Sequence, residues 1–156
     1  MSDPYEEIVE GETFLRLPPS AWHEEICQRL HERITLSLRA NPAIRLLDQR
    51  SVVQLSAGTI VRPDITLVNA SSGKIWLAVE VISSDDHHTD TVTKKSIYED
   101  INLERLWMVD PRYKNVEIYH GSPYGMVLKT ILAGRELIED GELPGFQVTV
   151  TELFQE

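Results

Sequence analysis

The chain has 156 residues, 42% of them apolar and 26% charged, with 25 acidic residues against 15 Lys and Arg for a formal net charge of −10. This fits a single domain over residues 1–156 with a real core and excludes a disordered tail, while one cysteine, Cys27, excludes an internal disulfide framework. The acidic balance argues against a general nucleic-acid binder, and no apolar run is long enough to span a membrane, so a cytoplasmic protein is expected.

The first clear element follows the turn signal Pro18-Pro19-Ser20. Trp22, Ile26, Leu30, Ile34 and Leu38 recur at every fourth position, one apolar stripe along a helix. Ser20 is its expected N-cap, Glu24 and Glu25 sit in the dipole-favoured first turn, and Asn41-Pro42 ends it. Strands are expected at 44–47, 51–55, 59–68 and 75–82, separated by Gly, Asn, Asp and Ser positions. The last two carry apolar residues on both faces, as strands in the middle of a covered sheet do. A polar stretch at 83–89 precedes a second helix at about 90–102. Strands at 106–109, 116–119 and 126–132 follow, with a turn at Asp110-Pro111-Arg112. The order of elements predicts an α/β domain with a central mixed β-sheet flanked by helices.

Register makes the central strands informative. Asn69-Ala70-Ser71-Ser72-Gly73-Lys74 is a good turn sequence, so the two strands form an antiparallel hairpin; with its midpoint at Ser72, Asp64 faces Glu80. Carboxylates directly opposite one another repel, so in a buried site one takes up a proton or a cation sits between them. Two hard oxygen ligands on adjacent strands suit Mg²⁺. The other readings shift the register by one, or put Asp64 at the solvent, ending its strand after Pro63. Glu80 resists such a reading, because it interrupts Trp76-Leu77-Ala78-Val79-Glu80-Val81-Ile82, where a charge does nothing for packing. On the second helix the stripe of Ile97, Tyr98 and Ile101, projected back by one turn, reaches Lys94, and a further turn back reaches Asp90. Lys94 then faces the sheet, with Lys95 turned about 100° away. The alternative is an Asp90–Lys94 pair on a solvated face, worth a few tenths of a kcal/mol.

With these residues in place the chain resembles the bacterial Uma family of restriction-endonuclease-like proteins, within the PD-(D/E)XK nuclease superfamily. The resemblance covers nearly the whole chain. It begins with Tyr5-Glu6-Glu7-Ile8-Val9-Glu10-Gly11-Glu12 and His23, and continues through Pro63-Asp64, Glu80-Val81-Ile82-Ser83, Asp90, Lys94, Tyr98 and Trp107-Met108-Val109-Asp110-Pro111. It closes with Leu143-Pro144-Gly145-Phe146 and Glu152-Leu153-Phe154. It implies an αβββαβ core in which Asp64 and Glu80 hold Mg²⁺, with Mn²⁺ as a substitute, for hydrolysis of a DNA phosphodiester, and Lys94 stabilises developing charge. Most of the superfamily carries that lysine two residues after the second acid, where this chain has Ile82; the resemblance implies its supply from the following helix. Asp90 is then an orienting acid, and Glu24 or His23 of the first helix could reach the metal. Ser83-Ser84 stands where the family has Ser-Pro.

Asp85-Asp86-His87-His88 lacks the separated ligand spacing of a structural zinc site and reads as a solvated loop. Apart from a role at the metal, Glu24 and Glu25 read as solvated first-turn acids and His23 as structural, and Tyr98 and Trp107 read as core aromatics. Two functions compete: a metal-dependent DNA endonuclease, and a catalytically inactive nuclease-fold protein that acts through protein association. In either case a homodimer is expected. DNA binding is expected to be weak and salt-sensitive, since the acids cluster near both termini while the stretch from Arg105 to Lys129 carries more basic than acidic residues.

Overall fold

The computed structural model describes residues 3–82 and 87–156, without the side chains of residues 87–90. Residues 83–86 of the expected loop and the Asp90 side chain therefore lie outside the described residues, and 87–89, expected as loop, are already helical. The chain opens on a hairpin of β1 (Tyr5–Val9) and β2 (Glu12–Arg16), whose register pairs Val9 with Glu12. Its two-residue turn, Glu10-Gly11, has positive φ at both positions (51° and 82°), the conformation that matches strand twist. The hairpin was not expected, because Glu6, Glu7, Glu10 and Glu12 mask the alternation that marks a strand.

Helix α1 (Ala21–Leu38) starts where predicted, with the Ser20 hydroxyl accepting from the His23 amide. Ile26, Leu30 and Ile34 of its stripe are fully buried, and Trp22 and Leu38 pack at the margin. After α1 come β3 (Ile44–Leu46), β4 (Val53–Ser56), β5 (Thr59–Val61), β6 (Ile65–Asn69) and β7 (Ile75–Val81). The single strand expected over 59–68 is two. Pro63 has no N–H to give a ladder, and the chain breaks there, leaving β5 in a four-stranded sheet ordered β2-β1-β5-β4 and starting β6 in a second sheet.

Helix α2 (His87–Asp100) starts before the expected position. It ends on Asn102 with φ 56°, where the Leu103 amide donates back to the Tyr98 carbonyl. β8 (Arg105–Asp110), β9 (Asn115–Ser122) and β10 (Gly125–Ala133) complete a six-stranded sheet ordered β10-β9-β8-β7-β6-β3, parallel between β7 and β8 and antiparallel elsewhere. A short pair, β11 (Leu137–Ile138) and β12 (Val148–Thr149), and helix α3 (Val150–Phe154) were not anticipated. The six-stranded sheet is thus mixed and covered by helices, as expected.

One face carries Ile65, Leu67, Val79, Val81, Trp107 and Val109 against α1; the other carries Ala78, Leu106 and Met108 against Tyr98 of α2. Trp107 also stacks on Phe146 at 5.7 Å. Ile65 pairs with Val79, Thr66 with Ala78 and Leu67 with Leu77, the register that a midpoint at Ser72 requires; a bulge then shifts Val68 to face Ile75. Continued one residue past Ile65, this register sets Asp64 across from Glu80. No helix among the described residues is long and apolar enough to cross a membrane.

Candidate active site

The site forms where the two sheets meet the N-terminus of α1 and the inner face of α2. Asp64, Glu80, Lys94, His23 and Glu7 line one cavity of about 30 Å³ together with Tyr5, Arg16, Leu17, Pro19 and Val81. All five of the first group are buried, Glu7 and Lys94 almost completely. A larger hollow of about 770 Å³ lies elsewhere, along Arg45, Gln54, Asn69, Lys74 and Asn102; among the described residues Glu104 is the one acid that lines it.

Asp64 and Glu80 pair with different cations. Asp64 Oδ1 accepts from Arg50 Nη1 at 3.0 Å, and Oδ2 accepts from the Val81 amide at 2.8 Å with His23 Nε2 at 3.6 Å. Burial alone would raise the Asp64 pKa, but His23, the amide and Arg50 together hold this carboxyl below its ordinary value. Glu80 receives Lys94 Nζ at 3.1 Å and 3.3 Å, and the Tyr98 hydroxyl donates to it at 3.4 Å. Tyr98 is therefore a core aromatic, as expected, and also a partner of the site.

His23 Nε2 lies 2.9 Å from the Val81 carbonyl and donates to it, so Nδ1 faces Cys27 Sγ at 3.7 Å. Burial opposes the imidazolium, but Asp64 outweighs it and the His23 pKa is raised. Glu24 does not line the cavity. Both of its oxygens accept from Arg50 Nη2, at 2.5 Å and 2.6 Å, which makes Arg50 a bridge from Glu24 to Asp64.

Sequence reasoning missed Glu7 as a site residue. Its Oε2 accepts from Lys94 Nζ at 2.7 Å and from the Arg62 amide at 2.7 Å, and its Oε1 from Arg16 Nε at 2.9 Å. Burial pushes its pKa up, yet Lys94 and the other donors hold the carboxyl below its usual range. A signal was available: on the face formed by Tyr5, Glu7 and Val9, a charge sits at the centre of an otherwise apolar row, the same anomaly that singled out Glu80. Arg50 was missed too, and no pattern marks it. It holds φ 54° in the Asp48-Gln49-Arg50 turn, where a side chain pays a conformational cost. Tyr5 is kept neutral by burial and by the charges of Asp64, Glu80 and Glu7.

The donor set fits a hard divalent cation. Asp64 and Glu80 present carboxylates to one small polar cavity, and Mg²⁺ takes one or two carboxylates while keeping waters. A second set, His23, Cys27 and Asp64, has ligand atoms within 4.8 Å of one another. Burial pushes the Cys27 thiol well above its ordinary pKa, and a neutral thiol is no ligand for a hard cation.

The family model described as "Putative restriction endonuclease" (Uma2) matches residues 2–151. No curated protein matches the chain. Among solved structures, the crystal structure of "a putative nuclease belonging to DUF820" from Anabaena variabilis ATCC 29413 superposes with a TM-score of 0.80 at 16% identity, over 98% of this chain and 91% of that one.

Proposed function

The chain belongs to the Uma2 family, and from that premise we propose that it is a metal-dependent DNA endonuclease whose site is Asp64, Glu80 and Lys94. The observation that carries this reading is the shared cavity, in which a carboxylate just ahead of β6, a carboxylate of β7 and a helix-borne ammonium are buried together although nothing in the core requires them there. Asp64 and Glu80 would hold Mg²⁺ or Mn²⁺. Bound there, the ion supplies polarisation of the phosphoryl oxygen and a lowered pKa for the attacking water. The Lys94 ammonium lies beside Glu80, where it stabilises the charge that develops on the phosphate. Arg50 and the Val81 amide fix the Asp64 carboxylate in orientation. His23 is held to Val81 and Asp64 and acts as a support rather than a ligand. The proposal includes DNA as substrate, a homodimer and a cytoplasmic setting.

The test is Mg²⁺- or Mn²⁺-dependent nicking of plasmid DNA, with Asp64→Ala and Glu80→Ala as controls. Activity that survives either substitution refutes the assignment. A second reading, a nuclease-fold protein that works through association, draws on the narrowness of the cavity, which has room for an ion but none for a nucleotide. Calorimetric titration separates the two: absence of Mg²⁺ or Mn²⁺ binding, together with absence of DNA affinity at low salt, favours association.

A further inference from the structure

We infer that Glu7 is a positioning residue for Lys94, so that the first hairpin is a working part of the centre and not only its cover. For the reaction this rests on the nuclease reading; for the contact it does not. Lys94 reaches the site on a long flexible stem, and its Nζ lies closer to Glu7, at 2.7 Å, than to Glu80, at 3.1 Å and 3.3 Å. Glu7 is itself fixed, because Arg16 and the Arg62 amide hold both of its oxygens and it cannot follow the ammonium if that moves.

The electrostatics give this second anion a task. Glu80 attracts Lys94 only while its own charge is uncompensated. A divalent cation on Glu80 repels an ammonium a few ångströms away, and a site buried from water screens that repulsion poorly. A fixed carboxylate on the other side of Nζ keeps the ammonium in place through that change. If Glu7 served only to pin the hairpin, Arg16 of β2 and the Arg62 amide would suffice. Lys94 is the one described partner of Glu7 that comes from α2.

The experiment follows the Lys94 ammonium directly by NMR of protein labelled with ¹⁵N,¹³C-lysine, the signal being assigned through Lys94→Arg. Wild type, Glu7→Gln, Glu7→Asp and Thr59→Val are compared with and without Mg²⁺. Thr59→Val loosens the hairpin elsewhere, by removing the hydroxyl that accepts from the Glu10 amide. We expect the wild-type Nζ signal to persist when the ion is added, and in Glu7→Gln to be shifted without the ion and lost with it. In nicking, Glu7→Gln loses about tenfold or more in kcat with little change in KM, Glu7→Asp recovers part of this, and Thr59→Val behaves as wild type.

An unchanged Lys94 signal in Glu7→Gln overturns the inference. Loss of Mg²⁺ binding equal to that of Asp64→Ala also overturns it, by making Glu7 a ligand, and so does a Thr59→Val effect equal to that of Glu7→Gln. If the wild type neither binds the ion nor nicks, the nuclease reading fails, and the ion-free spectra still decide the contact. Where circular dichroism shows Glu7→Gln unfolded, Glu7→Asp, with its carboxylate drawn back, carries the same comparison.

Discussion

Replacing Lys94 with Met removes the ammonium and keeps an unbranched stem. Glu7, 1% exposed, and Glu80, 7% exposed, then lose the cation they share. Breaking a buried ion pair by removing one partner costs about 3–5 kcal/mol. Arg16 still pairs with Glu7 and the Tyr98 hydroxyl still reaches Glu80, which favours the lower half of that range. In a chain of this length 1 kcal/mol moves the thermal midpoint by about 2–4 °C. The expected drop is therefore roughly 6–16 °C at pH 7.5, read by circular dichroism. The pH dependence gives the sharper check. In the wild type the Glu7 carboxyl is held below its usual range, so its contribution is present above the unfolded-state pKa and is lost as pH falls through the folded one. In the variant the sign reverses: two buried carboxylates left with one cation fewer raise at least one pKa, the folded state binds the extra proton, and the deficit shrinks toward pH 5. A drop below about 3 °C, or one equal at both pH values, refutes the account of this cluster as charges held by a shared cation.

Asp64→Asn should lower the His23 pKa, since Asp64 is what raises it. The His23 contribution to stability is present below its unfolded-state pKa and lost as pH rises through the folded one, so the variant should lose less stability over that rise; an unchanged histidine titration by NMR speaks against the coupling. Millimolar Mn²⁺ should raise the wild-type midpoint, by about 2.7 kcal/mol of stability at a hundred times Kd, and leave Asp64→Ala unmoved; equal response in both proteins removes Asp64 from the ligand set. Gly121→Ala should be among the most damaging single-methyl additions, because its Cβ would lie 2.1 Å from the Leu103 carbonyl oxygen, backbone that cannot step aside. A loss of about 3 kcal/mol is expected in denaturant melts, and a loss under about 1 kcal/mol would show that the β9 approach is softer than its geometry implies.

Legibility followed the strength of periodic signals. Helix α1 could be read because five apolar residues repeat along one face, and the central hairpin because turn residues fix its register. Glu80 was readable as a charge interrupting an apolar run, Asp64 from the hairpin register, and Lys94 from the helix stripe projected back one turn. The first hairpin was hidden by its own acids, and the break at Pro63 by apolar residues that continue across it. Arg50 lies in a turn whose guanidinium finds Glu24 and Asp64 only after α1 and β6 have come together, so nothing local could announce it. The charge count was legible only in total. Glu7 looked like part of a solvated N-terminal cluster, yet it is buried and paired, so the −10 is not all surface charge.

Pro63 joins β5 of the small sheet directly to Asp64 at the head of β6, while the Arg62 amide beside it is bonded to Glu7. The two sheets therefore have a covalent joint inside the site. Opening of the 62–64 segment would displace the Asp64 carboxylate together with the Arg62 amide that holds Glu7. Amide exchange at Val61 and Arg62 then reports the integrity of the centre, in a protein whose substrate need not be known for the measurement to be made.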